Sequence, residues 1–316
     1  MKSWSMISKV DEYLIVRRAL GVQLRIEGGQ LLDFARYADS IKHRGPITVE
    51  LAVRWARSSE RSSPLGWARR LEVVRPFARY RLAFDPGTEI PPRNLLGPAH
   101  RRKQPHIYTP KEVQALLAAA TRLKPPSSLR AATVQAVLGL LACTGLRPAE
   151  ALKLARTDVD VETGVLTIRE TKFCKSRFVP LHSSATRALR RYARIRDGKV
   201  PDPIAPHFFI VDGGAPFTKS KLRTAFIRIR RDLGWWAAPR RQRPRLYDLR
   251  HSFACLRLLR WCAEGVDVHC ALPTLSTYLG HVKVSDTYWY LTGIPELMAI
   301  TAGRFERFIH GVGGRR

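Results

Sequence analysis

A stretch rich in proline, glycine and basic residues divides the sequence into two parts. It contains three turn-forming pairs and then a basic run: Pro86-Gly87, Pro91-Pro92, Gly97-Pro98 and His100-Arg101-Arg102-Lys103. Prolines and glycines at this density interrupt helices and strands, so the stretch is typical of a linker. The chain has 316 residues, enough for two domains of ordinary size. We therefore expect one domain over residues 1–90, a basic linker over 91–107 and a second domain over 108–316.

The first domain shows the spacing of short amphipathic helices. The apolar run Tyr13–Val16 opens one helix, and the apolar residues from Leu31 to Ala38 follow helical spacing for another. Thr48 is placed to cap a third helix. A fourth has an apolar stripe from Leu71 to Leu82, and its other side carries Arg69, Arg70, Arg75, Arg79 and Arg81. That basic side fits contact with phosphates and simple exposure to solvent equally well.

The second domain opens with a helix-start pattern. Thr109 fits a helix cap, Pro110 fits the first turn, and Glu112 completes a capping box. Further helices are predicted at 113–120, at 131–143 and from about 210 to the end. Residues 165–169 and 178–181 have the pattern of two strands joined by a polar turn. The predicted fold class is therefore mainly α (α+β), with a small antiparallel sheet.

The charge of the chain indicates a polyanionic partner. Its 55 Lys and Arg residues against 26 Asp and Glu give a formal net charge of +29, and nucleic acid is the usual partner of such an excess. A membrane surface is disfavoured, because no apolar stretch approaches the ~20 residues of a spanning helix and no amphipathic segment is isolated from the rest of the chain. The N-terminus lacks the apolar core of a signal peptide, so a cytoplasmic location is expected. Five cysteines without a CxxC pair argue against a disulfide framework or a zinc site.

Four segments of the second domain carry residue types suited to phosphate chemistry. They are Thr144-Gly145-Leu146-Arg147-Pro148-Ala149-Glu150, the turn lysine Lys172, Tyr247-Asp248-Leu249-Arg250-His251, and Leu279-Gly280-His281 with Tyr290 nine residues later. In this order and spacing they resemble the tyrosine recombinases, also called phage integrases. The resemblance covers about Thr109 to Phe308. The N-terminal helices are similar, less specifically, to the SAM-like core-binding domain of that family.

The resemblance implies an enzyme that breaks and rejoins DNA through a 3′-phosphotyrosine. Tyr290 would be the nucleophile, and Arg147 and Arg250 would hold the scissile phosphate, since a planar guanidinium fits two phosphate oxygens. His281 would donate a hydrogen bond to a phosphate oxygen. Lys172 would protonate the departing 5′ oxygen. This chemistry needs neither a metal nor a cofactor, and the expected function is site-specific recombination for integration, excision or transposition of a mobile element.

Several neighbours have expected supporting roles. Glu150, one helical turn after Arg147, would orient the site, and His251 resembles a more structural histidine of the family. The aromatic pair Tyr288 and Trp289 is expected to pack in the core, since clustered aromatic residues usually do.

Tyr247 departs from the family pattern, which has a histidine acting as general base at this position. A tyrosine hydroxyl hydrogen-bonds well but is a poor base near neutral pH. Three outcomes are open: an enzyme that works without a strong base, a slow enzyme, or an impaired one that depends on a partner. The first is favoured, because the other catalytic positions are filled.

Basic residues around the site predict the DNA contacts. Eight arginines and only two acids lie between Arg228 and Arg250, a density typical of a groove that lines DNA. The residues expected to contact DNA are Lys175, Arg177, Arg240, Arg241, Arg243 and Arg245. Lys175 could also replace Lys172 as the acid, although the family pattern favours Lys172.

The partners predicted from the resemblance are double-stranded DNA and other recombinase subunits. A helix starting near Ile294 would pack either into a neighbouring subunit, as in a tetramer on DNA or an assembly with related recombinases, or onto its own domain. Two other functions remain open: a topoisomerase of type IB, and a DNA-binding protein that is catalytically impaired by Tyr247. A metal-dependent transposase is disfavoured, because the carboxylates form no metal-binding triad.

Overall fold

The structure is a computed structural model that describes residues 5–59, 63–99, 104–125, 128–169, 176–237 and 243–290. It separates into two compact units, Met1–Lys103 and Gln104–Arg316, and this division falls inside the predicted linker. Within the described ranges, no helix is both long enough and apolar enough to cross a membrane.

The first unit consists of four helices in its described part: α1 (Met6–Ala19), α2 (Arg25–Ser40), α3 (Val49–Arg57) and α4 (Pro64–Leu82). The predicted cap of α3 is confirmed, because the Thr48 side chain accepts a hydrogen bond from the backbone N–H of Leu51. The first helix begins earlier than its apolar run indicates, since Ser5 caps it. Its first two N–H groups, those of Met6 and Ile7, donate to the Asp39 carboxylate of α2.

Aromatic side chains fill the centre of the first unit. Phe34 of α2 lies edge-on to Trp55 of α3 with ring centroids 5.3 Å apart, and Tyr13 of α1 lies 5.4 Å from Phe77 of α4. All four are buried, so every helix contributes an aromatic ring to one core.

Most arginines on the basic side of α4 contact other groups of the first unit. This differs from both expectations for them, contact with phosphates and exposure to solvent. Arg81 is buried and lies 3.9 Å from the Glu12 carboxylate. The Arg70 guanidinium lies 4.2 Å from the centre of the Trp55 ring. Two more arginines donate to backbone carbonyls of the predicted linker, Arg75 to Pro91 and Arg69 to Ala99. Only Arg79 of this set lies exposed without such a contact.

The second unit is mainly helical around a three-stranded sheet. Its described helices are α5 (Pro110–Thr121), α6 (Arg130–Thr144), α7 (Pro148–Lys153), α8 (Ser183–Lys199), α9 (Lys219–Asp232), α10 (Asp248–Ala263), α11 (Val268–Leu279) and α12 (Ser285–Tyr288). The capping box of α5 is confirmed, since the side chains of Thr109 and Glu112 each bond the other's backbone N–H.

The sheet has the order β1 (Val159–Asp160), β2 (Val165–Ile168), β3 (Arg177–Pro180), with antiparallel pairs throughout. The predicted hairpin is confirmed, and its register pairs Val165 with Pro180 and Ile168 with Arg177. Strand β1 and helix α8 were not predicted. The turn of the hairpin, 170–175, which contains Lys172 and Lys175, lies outside the described residues.

Two apolar clusters form the interior of the second unit. The larger is built around α6, where residues such as Leu138 and Leu141 are fully buried. The smaller lies between α10 and α11 and includes Leu258, Leu272 and Tyr290. The smaller cluster thus contains the residue predicted as the nucleophile.

Candidate active site

The end of α6 supplies the first element of the site. Gly145 terminates this helix in the left-handed region, with φ +63°, and a Cβ there would lie 2.6 Å from Cδ1 of Phe253. Both facts require glycine. The Gly145 carbonyl points to α10, where it accepts a hydrogen bond of 2.8 Å from Nη1 of Arg250.

The end of α11 supplies a matching element. Gly280 terminates α11 with φ +71°, and its carbonyl accepts a hydrogen bond of 3.2 Å from Nη2 of Arg147. The preceding carbonyl, that of Leu279, accepts one of 2.9 Å from Nη2 of Arg250. The two helix ends therefore hold the two arginines, and three of the sequence segments meet at one place.

The two arginines differ in exposure. Arg250 is 3 % exposed, and burial lowers the pKa of its guanidinium, with Arg147 contributing in the same direction. The Arg147 side chain is about a quarter open to solvent. Two cations so close together form a site for an anion with more than one oxygen, because each guanidinium presents a planar set of donors.

Glu150 lies between two guanidinium groups. Its Oε1 accepts from Nη1 of Arg147 at 2.7 Å, and its Oε2 accepts from Nη2 of Arg177 at 2.9 Å. Burial alone would raise the pKa of this carboxyl, but the bonds and charges of Arg177 and Arg147 together hold it below its ordinary value. The carboxylate is therefore ionised and fixes the Arg147 side chain.

Arg177 is used inside the protein, which differs from its expected role in contacting DNA. Its side chain is about a tenth exposed, and besides Glu150 its Nε donates to the Tyr278 carbonyl at 2.8 Å. Its guanidinium also packs on Gly280, where a Cβ would lie 2.5 Å from Nη1. Arg177 thus joins β3 to α7 and to the end of α11.

His281 is held through both ring nitrogens. Nε2 lies 2.8 Å from Nη2 of Arg250, and Nδ1 lies 2.7 Å from Oγ1 of Thr287. Because an arginine only donates, Nε2 is the acceptor and the proton of the neutral ring is on Nδ1. Burial, and then the charges of Arg250 and Arg147, lower the pKa of His281 to about 4.

Tyr290 lies in the same cluster and is 5 % exposed. Its ring stacks on His281 at 5.9 Å and an interplanar angle of 17°, and it meets His251 at 5.3 Å and 63°. Burial raises the pKa of the phenol, while the adjacent Arg250 guanidinium acts in the opposite direction. The structure therefore brings Tyr290 together with both arginines and His281.

The neighbouring aromatic residues differ from expectation in one case. Trp289 packs against the cluster of α10 and α11, but Tyr288 is 43 % exposed rather than in the core. The short helix α12 turns successive side chains by about 100°. Tyr288 and Tyr290 consequently have opposite environments although they are two residues apart.

Tyr247 and His251 also have contrasting environments. Tyr247, just before α10, is 48 % exposed. His251 is half-buried in the first turn of α10, and its Nδ1 is shielded from solvent without a hydrogen-bond partner among the described residues. Burial lowers the pKa of His251, so its ring is neutral near pH 7.

The remaining predicted DNA contacts either interact with other side chains of the protein or lie outside the described residues. Arg243 stacks on the exposed Trp236 with 4.4 Å between the guanidinium and the ring, and Arg230 and Arg231 lie over the same ring. Arg245 pairs with the buried Asp248. Arg240 and Arg241, like Lys172 and Lys175, fall outside the described part of the chain. Within that part, no cluster of three His, Cys, Asp or Glu side chains is arranged to hold a metal ion.

The sequence did not reveal two contributors to the site. Thr287, fully buried, orients His281, and Arg177 orients Glu150. The position of Thr287, three residues before Tyr290 and one helical turn away, could have suggested that it faces the same side.

Sequence comparisons give a consistent family. Residues 107–293 match the model of the phage integrase family. A putative integrase/recombinase, y4rB of Sinorhizobium fredii, is 44% identical, and the match covers 94% of this chain and 96% of that protein. Tyrosine recombinase XerD of Xanthomonas axonopodis pv. citri is 32% identical, with 75% of this chain and 74% of that protein covered.

Solved structures agree on the fold. The Tn1549 transposon integrase, in complex with transposon right end DNA, is similar with a TM-score of 0.69 at 16% identity, over 96% of this chain and 99% of the other. The XerH site-specific recombinase, bound to a palindromic difH substrate, has a TM-score of 0.65 at 20% identity, over 95% and 85%. The chain therefore belongs to the phage integrase family, the tyrosine recombinases.

Proposed function

We propose that this protein is a site-specific recombinase that cleaves and rejoins double-stranded DNA with Tyr290 as its nucleophile. The observation that carries the proposal is the meeting of Arg147, Arg250 and His281 around the Tyr290 ring. Such a group of cations and donors beside a phenol suits attack on a phosphodiester, where negative charge builds on the non-bridging oxygens.

The reaction proceeds by exchange of one ester for another. The phenol oxygen of Tyr290 attacks the phosphorus, its proton passes to a neighbouring base, and a 3′-phosphotyrosine forms as the bond from phosphorus to the 5′ oxygen breaks. Arg147 and Arg250 hold the phosphate oxygens through the attack. Lys172 gives a proton to the departing 5′ oxygen. The reverse attack by a 5′ hydroxyl of another strand reseals the DNA without an energy source, since the ester bond is conserved.

Arrival of a phosphate changes the protonation of His281. In the free site its Nε2 accepts from Arg250, so it has no proton to offer there. An adjacent phosphate draws the Arg250 donors to itself and, as an anion, raises the pKa of the imidazole. His281 then takes up a proton on Nε2 and donates it in a hydrogen bond to a phosphate oxygen.

The biological setting follows from the named relatives. One is called an integrase/recombinase and a structural neighbour is the integrase of a transposon, so integration, excision or transposition of a mobile element is the proposed role. Assembly as a tetramer or with related recombinases, and action in the cytoplasm, belong to the same proposal. The segment beyond residue 290, which would mediate assembly, lies outside the described residues.

Covalent capture tests the function without a known target. A pool of nicked duplexes with randomised sequence is incubated with the protein, and complexes that resist SDS are isolated and sequenced. We expect a peptide containing phosphorylated Tyr290, a recovered cleavage site, and loss of capture in Tyr290→Phe but not in Tyr288→Phe. Binding to the recovered duplex should weaken steeply with salt. Capture by Tyr290→Phe, or an adduct at another residue, would contradict the proposal.

A further inference from the structure

The proposed chemistry needs an acceptor for the proton of Tyr290. In the family pattern that acceptor is the histidine at the position of Tyr247. A phenol has a pKa near ~10 and is a poor base at neutral pH. Tyr247 is also about half exposed, whereas the nucleophile is buried. The usual route for the proton is therefore missing from this chain.

His251 lies one helical turn after Tyr247 on α10 and directly against the nucleophile. The centres of the His251 and Tyr290 rings are 5.3 Å apart, with the rings tilted by 63°. Its neighbour in sequence, Arg250, is the residue whose guanidinium lies beside the phenol. Its Nδ1 is shielded from solvent and has no hydrogen-bond partner in the described structure. A buried nitrogen without a partner is costly, so it points to a group that is engaged at another stage.

The other histidine of the site is occupied. In the DNA-free site His281 accepts from Arg250 through Nε2 and contacts Thr287 through Nδ1. In the proposed reaction its Nε2 is protonated and donates to the phosphate, so neither nitrogen is available to accept the proton of the phenol. Of the two imidazoles that touch the Tyr290 ring, His251 is the one with an open nitrogen.

We propose that His251 is the general base of this enzyme and takes the proton from Tyr290 in place of the missing histidine at position 247. The proposal rests on the proposed function. The phenol O–H bond breaks, the proton passes to Nδ1 of His251, the bond from oxygen to phosphorus forms, and the 5′ oxygen leaves with a proton from Lys172. The two atoms are not hydrogen-bonded in the DNA-free site, so the phenol must shift when it turns towards the phosphate.

The charges that face His251 suit this role. Burial has the largest effect and lowers its pKa, Asp248 acts to raise it, and Arg245 and Arg250 lower it further. The Tyr290 phenol faces it from the segment after α12. The imidazole is consequently neutral, and able to accept a proton, in the pH range in which Tyr290 is protonated.

The test is single-turnover cleavage of the nicked duplex recovered by covalent capture, with His251→Gln as the main variant. His207→Gln is a matched control, because His207 also has a buried Nδ1 without a partner but is not among the residues that contact Tyr290. We expect His251→Gln to cleave about 100-fold more slowly, as loss of a general base typically does. The affinity for the duplex should change less than about threefold, as should both properties of His207→Gln.

A rescue variant separates a base from a structural residue. Tyr247→His alone should leave the rate similar or higher. In the His251→Gln background, Tyr247→His should raise the cleavage rate at least about tenfold, because it restores the family's base. The acid limb of the pH–rate profile should then move to higher pH, since position 247 is more exposed than position 251 and burial lowers the pKa of His251.

Three results would overturn the proposal. The first is a His251→Gln rate equal to that of His207→Gln while Tyr290 still forms its adduct, which leaves the proposed function intact. The second is absence of any Tyr290 adduct with the wild-type protein, which removes the proposed function as well. The third applies if His251→Gln does not fold. NMR of labelled histidine in the wild-type protein then gives the pKa of His251. The proposal fails if the acid limb of the pH–rate profile for cleavage does not follow that pKa.

Discussion

Arginines dominate both the outer side of α4 in the first unit and the site in the second, yet the two sets are held differently. In α4 every guanidinium of the set except that of Arg79 has its own partner, such as the Trp55 ring for Arg70 or the Pro91 carbonyl for Arg75. In the second unit Arg147 and Arg250 share one place, held by carbonyls at two helix ends. The number of arginines in a segment is therefore a poor indicator of an anion site. A better indicator is that guanidinium groups from separate segments meet at one place.

Removing one arginine from each set should separate their roles most clearly. Arg250→Gln should reduce single-turnover cleavage by at least about 100-fold, because a preorganised cation at the phosphate is lost. Arg75→Gln removes a guanidinium that is already bound to Pro91 and Glu72 and should leave the rate within about threefold. The measurement is covalent complex formation over time on the recovered duplex. Equal losses in both variants would mean that the two sets do not differ in function.

A smaller effect on the cleavage rate is expected from Arg177, which acts on Arg147 only through Glu150. Arg177→Met leaves Glu150 with one guanidinium instead of two, so Arg147 is held less firmly. The cleavage rate should fall about tenfold with little change in the dissociation constant of the duplex, because the phosphate contact itself remains. Arg177→Lys should recover part of the rate. A loss confined to DNA affinity would instead favour the original expectation that Arg177 contacts DNA.

The helix ends can be tested by stability. Gly145→Ala places a Cβ 2.6 Å from Phe253 at a positive φ, and the free energy of unfolding should fall by about 3 kcal/mol. Gly21 of the first unit has φ +81° with nothing within 4 Å, so Gly21→Ala should cost about 1 kcal/mol from the backbone alone. Urea denaturation of both variants gives the two values. Similar values would show that contact with Phe253 adds nothing.

The smallest effect is a titration. The pKa of His281 is lowered to about 4, from an unfolded value near 6.5, so the stability that its neutral form contributes is present above pH 6.5 and is lost as pH falls towards 4. Arg250→Gln removes one of the neighbouring charges and should raise this pKa, as seen by NMR of the labelled ring. An unchanged pKa in that variant would show that the charge of Arg250 does not contribute to the lowering. No such change is expected from Arg75→Gln.

The sequence predicted those features that depend on neighbours along the chain. The capping box at Thr109 and the hairpin of β2 and β3 follow from local residue types, and both are present. The family pattern also brought Arg147, Arg250, His281 and Tyr290 into one group, as the structure does.

What the sequence could not predict depends on contacts between distant segments. Arg177 forms an ion pair with Glu150 of α7, and Arg81 is buried beside Glu12 of α1. Tyr288 at the end of α12 and Tyr290 just beyond it differ in exposure because only Tyr290 is buried in the cluster of α10 and α11. A pattern of charged or aromatic residues shows which side chains could make a contact. The fold determines which of those side chains make it.

Besides the side chains of Glu150 and His281, three main-chain oxygens hold the two arginines, those of Gly145, Leu279 and Gly280. A main-chain oxygen is present whatever the side chain, so point substitutions cannot delete it and act only by moving the helix end. An apolar side chain of similar volume at position 279 therefore keeps the same hydrogen bond to Arg250, whereas a larger or smaller one disturbs the buried cluster around it. Gly145 and Gly280 do not allow such replacement, because each has a positive φ and no room for a Cβ.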